Sequence, residues 1–89
     1  MKRISVSVKG KVQGVFFRAF TEKTARRLGL TRYVTNLPDG SVYMEAEGSE
    51  TQLNELTEAC RKGPERARVD EMIILEIPLK KDLSFRIVR

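Results

Sequence analysis

Chemistry in this chain can start from the segment Gly10-Lys11-Val12-Gln13-Gly14-Val15, which carries two glycines and leads into a helical period. Where a strand gives way to a helix, free backbone N–H groups and the positive end of the helix dipole form an anion site, and glycines let the backbone curl around a phosphate. Glycines that serve only a tight connection would read the same. Arg18 falls in the first turn of that helix, where a cation opposes the dipole and costs about 0.3–1 kcal/mol unless something negative is bound. The rest of the chain keeps the rule that Arg18 breaks, with Glu50 opening a second helix and basic residues closing both. An arginine reaching solvent or a nearby carboxylate is the plain alternative. Asn36, just before Leu37-Pro38-Asp39-Gly40, is by type a turn former and also a side chain able to hold a water.

The elements that must position these residues follow from periodicity. Ile4, Val6 and Val8 alternate with Ser5 and Ser7, the pattern of a half-buried strand over residues 3–8. Phe16, Phe20, Thr24 and Leu28 then recur at a helical step, Lys23, Arg26 and Arg27 gather toward the C-terminal end, and Gly29 supplies the cap. Thr31 to Asn36 and Ser41 to Glu47 read as two strands of a hairpin about the Pro-Asp-Gly turn. Ser49-Glu50-Thr51-Gln52 has the form of a capping box, and Leu53, Leu56 and Cys60 continue one helical face until Gly63-Pro64. A strand follows between Arg66 and Ile77, its register open, and Phe85-Arg86-Ile87 closes the chain as a short one.

This order predicts an α+β fold, a ferredoxin-like split βαβ sandwich (βαββαβ plus a short terminal strand) with two helices on one face of a mainly antiparallel sheet. In that topology the first and second strands run parallel with the third between them. Their C-terminal ends then share one sheet edge, which brings the glycine loop and Asn36 within roughly 10 Å of each other.

Composition narrows the function classes. With 89 residues, of which 40% are apolar, a single domain spanning 1–89 is expected. One cysteine excludes an internal disulfide, and no apolar run suits a secretion signal or a membrane span, so a cytoplasmic protein is expected. Histidine is absent, which removes the commonest general base and the commonest metal ligand. The net charge of +5 suits an anionic partner, though it also serves solubility.

The run Gly10-Lys11-Val12-Gln13-Gly14-Val15-Phe16-Phe17-Arg18 closely resembles the acylphosphatase signature G-x-V-Q-G-V-x-F-R. The likeness continues through Ala25-x-x-Leu28-Gly29-Leu30, Tyr33-Val34-Thr35-Asn36-Leu37, Asp39-Gly40-Ser41-Val42, Glu47-Gly48, Lys62-Gly63-Pro64 and Phe85. It implies a hydrolase of small acyl phosphates in which Arg18 binds phosphate and Asn36 orients the attacking water. The backbone amides of Gln13, Gly14, Val15, Phe16 and Phe17 would form the cradle. The sequence departs from the resemblance at Arg32, where many relatives have glycine, and at Arg61-Lys62-Gly63-Pro64-Glu65-Arg66, where relatives often have a second proline.

Such chemistry is feasible without histidine, metal or cofactor. The leaving carboxylate has a conjugate-acid pKa of about 4 and needs no general acid. The loose transition state asks mainly for positioning and charge stabilisation, and a planar guanidinium matches two phosphate oxygens at once. Expected partners are an acyl phosphate substrate and, as site ligands, inorganic phosphate or other oxyanions, on a monomer with no nucleic acid and no membrane. Two rivals remain, a non-catalytic phosphate-binding module and a nucleic-acid-binding one. The latter is disfavoured because Ser41 to Glu47 offers one aromatic and two carboxylates where bases would stack. Cys60, on the apolar helical face, reads as a core residue.

Overall fold

The structure is a computed structural model and describes residues 1–79 and 85–88. Its elements are β1 (Lys2–Lys11), α1 (Phe17–Leu28), β2 (Thr31–Asn36), β3 (Val42–Gly48), α2 (Glu50–Lys62), β4 (Arg68–Ile77) and β5 (Phe85–Val88). One sheet contains all five strands in the order β4-β1-β3-β2-β5, with every pairing antiparallel except that of β2 with β5. The split βαβ arrangement read from the sequence is therefore the fold, with β3 between β1 and β2.

Alternation decides which face is buried. Ile4, Val6 and Val8 stand opposite Ala46, Met44 and Val42, and all six are buried against α1 and α2 with Val34, Leu53, Leu56 and Cys60. The opposite face carries Arg3, Glu45, Glu47 and Tyr43. There Arg3 pairs with Glu45, Tyr43 donates to Glu45 at 2.7 Å, and Arg3 Nη1 reaches the Pro78 carbonyl at 3.2 Å. The departure at Arg32 has a visible cost, since its φ of 108° lies in the region that favours glycine. Such strain costs on the order of 1–3 kcal/mol. An ion pair from Arg32 to Glu45 at 3.9 Å offsets part of it.

One expectation is corrected in α1. The buried face consists of Phe17, Thr21, Thr24 and Ala25, whereas Phe16 is 77% exposed. Phe16 lies one residue before the helix with a left-handed backbone, so its ring leaves the helical stripe that spacing alone assigned to it. β4, whose register the sequence left open, places Met72 opposite Val8 and Ile74 opposite Val6.

Candidate active site

The loop between β1 and α1 is shaped by its buried side chains. β1 bends at a register shift between Lys9 and Gly10, where a Cβ on Gly10 would lie 2.2 Å from the Arg68 carbonyl oxygen. Only glycine allows that approach. Val12, Val15 and Phe17 then turn into the core, while Gly14 and Phe16 both take positive φ, at 72° and 64°. The side chains thus anchor the loop from below and its backbone forms the rim. At the start of α1 no side chain caps the helix and the first turn contains no acidic residue. Its leading N–H groups are those that a helix leaves unsatisfied.

A cavity of about 330 Å³ opens at this rim, lined by Val12, Gly14, Phe16, Phe17, Arg18, Ala19 and Asn36. Arg18 comes from the first turn of α1 and Asn36 from the end of β2, brought together because β1 and β2 flank β3 in parallel. Arg18 is half-buried and makes no hydrogen bond or ion pair with any described residue. The Asn36 Oδ1 is buried and has no hydrogen-bond partner among the described residues. An unpaired buried acceptor costs about 1–3 kcal/mol, which a donor arriving with a ligand can offset.

Of the remaining residues expected at the site, Gly14, Phe16 and Phe17 line the cavity, but Gln13 and Val15 do not. Val15 is buried beneath the loop. The Gln13 side chain turns toward the hairpin and donates from Nε2 to the carbonyls of Leu37 and Ser41, both at 2.8 Å. This clamp ties the glycine loop to the turn that follows Asn36, and sequence reasoning missed it. Its partners lie 24 and 28 residues away, and no local pattern announces them.

The same turn is braced by Asp39, which accepts from the Ser41 hydroxyl at 2.5 Å and the Ser41 N–H at 2.9 Å. The hydroxyl first, then the backbone N–H, hold the Asp39 carboxyl below its ordinary pKa. Cys60 lies in the core beside Thr21 and Met44, and burial pushes its thiol up to about 11, which disqualifies it as a nucleophile. No group of three or more Cys, Asp or Glu among the described residues is placed to hold a metal ion. No helix among the described residues is long and apolar enough to cross a membrane.

A helix start without a side-chain cap, next to a guanidinium with no carboxylate partner among the described residues, suits a doubly charged oxyanion better than any neutral ligand. The class so defined is a small α+β phosphate-handling protein. The acylphosphatase family model matches residues 4–87, nearly the whole chain. An acylphosphatase of Marinobacter nauticus is 51% identical over 84 residues, 94% of this chain and 91% of its own. The crystal structure of acylphosphatase from Bacillus subtilis superposes with a TM-score of 0.97 at 34% identity, covering 100% of both chains. An acylphosphatase structure from Coxiella burnetii gives 0.94 at 40% identity, covering 98% of this chain and 92% of that one. The chain belongs to the acylphosphatase family, and its activity is hydrolysis of the carboxyl-phosphate bond of acyl phosphates.

Proposed function

We propose that this protein hydrolyses small acyl phosphates by direct attack of water, with Arg18 gripping the phosphoryl group and Asn36 placing the water. The observation that carries this reading is the shared cavity, lined by an α1 guanidinium and a β2 side-chain amide whose Oδ1 is buried, neither group having a partner among the described residues. The Arg18 fork and the backbone amides from Gln13 to Phe17 receive charge on the phosphoryl oxygens as it builds in a loose transition state. The Asn36 amide holds the water for in-line attack, with a phosphoryl oxygen of the substrate accepting the water proton. The carboxylate departs without protonation, its conjugate acid being as strong as an Asp side chain.

The protein acts in this reading as a cytoplasmic, single-domain monomer that also binds inorganic phosphate. A nucleic-acid partner is disfavoured because the sheet face opposite the helices offers Tyr43 beside arginines already engaged by Glu45 and Glu47, so those cations are not free for phosphates.

The test is hydrolysis of benzoyl phosphate in excess EDTA by the wild type, Arg18→Ala and Asn36→Ala, with the fold of each checked by circular dichroism. Turnover is expected to survive the chelator and to fall by about 10²–10³ in each variant. Wild-type activity retained by both folded variants would remove these residues from the mechanism.

A further inference from the structure

Phe16 breaks two local rules at one position. Its ring is 77% exposed, and its φ of 64° is a conformation that bulky side chains rarely adopt. A single exposed aromatic needs no explanation, and neither does one strained turn residue at a loop. Both at once, where glycine or asparagine would serve the backbone without strain and meet water more readily, mark a side chain kept for something it touches in the bound state.

What it can touch is defined by two cavities. Phe16 lines the cavity of Arg18 and Asn36, and it also lines a second one of about 530 Å³ whose other walls are Val15, Pro64, Glu65 and Arg66. The ring is the wall common to both. Val15 and Pro64 add apolar surface, and Glu65 and Arg66 stand exposed and make no ion pair with any described residue. A phosphoryl group held in the first cavity must send its acyl substituent outward past the rim, and Phe16 is the large apolar group there.

We propose that the Phe16 side chain is a platform for the acyl group, and that it selects acyl phosphates whose acyl part is flat and largely apolar over those with a short one. The inference rests on the phosphoryl group being held beside Arg18. An aryl group stacked on the ring gains offset or edge contacts that an acetyl group cannot make, which predicts about tenfold discrimination. Replacement by glycine removes the Cβ that causes the strain together with the ring, so the variant that loses selectivity keeps or gains stability.

The experiment measures Kd by calorimetry for benzoylphosphonate and acetylphosphonate, non-hydrolysable analogues that need no turnover, with wild type, Phe16→Gly and Phe16→Tyr. Benzoylphosphonate is expected to bind wild type and Phe16→Tyr about tenfold more tightly than acetylphosphonate. In Phe16→Gly the ratio is expected to fall to about twofold or less, with Tm equal to or above that of the wild type. The ratio of kcat/KM for benzoyl over acetyl phosphate should fall in parallel. A ratio unchanged in Phe16→Gly overturns the proposal, and so does a wild type that binds both phosphonates equally. A drop in Tm for Phe16→Gly makes the ring a packing residue and overturns it as well. None of these results touches Arg18, whose replacement by Ala should weaken both phosphonates alike.

Discussion

The two helices of this protein begin in opposite ways. At α2 the Ser49 hydroxyl accepts from the Gln52 N–H at 3.2 Å, the Gln52 side chain accepts from the Ser49 N–H at 2.8 Å, and Glu50 supplies the negative charge that the dipole favours. Gln52 also donates to the Leu28 carbonyl at 2.7 Å, tying the start of α2 to the end of α1. At α1 the cap position is a left-handed phenylalanine without a side-chain hydrogen bond, and the charge in the first turn is the positive one of Arg18. Both helices lie over the same sheet and bury similar faces, so packing does not account for the contrast. One helix start is closed by the chain itself, whereas the other has no side-chain cap and no acidic residue in its first turn, as the proposed phosphate site requires.

Exchanging the character of the two ends should break this contrast, most strongly at Arg18. Arg18→Glu is expected to lower kcat/KM by about 10²–10³. The same change should raise stability by about 0.6–2 kcal/mol, because it removes an unfavourable dipole interaction and adds a favourable one. Paired urea denaturation and steady-state kinetics read both effects. A variant that loses activity and stability together would show that Arg18 is a structural residue.

Gln13→Glu keeps the shape of the clamp but turns its two donors into acceptors that face carbonyls. We expect kcat to fall about tenfold with KM little changed, because the Asn36 end of β2 shifts relative to the loop. A rise in KM alone would place Gln13 in ground-state binding instead. At α2 the effect should appear only in stability. Ser49→Ala is expected to cost about 1 kcal/mol, or roughly 4–8 °C in Tm, with kcat/KM untouched.

The smallest effect concerns Asp39. Its folded pKa lies below the unfolded value, so its contribution to stability is complete above about pH 4 and disappears as pH falls through the lower, folded value. Asp39→Asn should therefore lower the denaturation midpoint slightly in the neutral region, leave the most acid values nearly unchanged and so flatten the acid limb of its plot against pH. A parallel shift of the whole curve would contradict this origin.

Alternation in β1 and β3, the capping box of α2, the glycine after α1 and the hairpin turn were all legible from residue types, because each depends on neighbours within a few positions in the chain. Arg18 was legible in the same way, as an exception to a local rule. The signature from Gly10 to Arg18 carried the resemblance that the comparisons then made a family. The shared edge of the glycine loop and Asn36 was legible one step further, through the topology that the element order predicts, and the fold places Asn36 and Arg18 on one cavity. Two things were decided only by the folded chain. The Gln13 clamp joins residues more than twenty positions apart. Phe16 left the helical stripe because three buried neighbours, Val12, Val15 and Phe17, fixed the path of the backbone and left its ring outside. Local preference acts over a turn or a strand, and what meets across the sheet is settled by which surfaces the whole chain buries together.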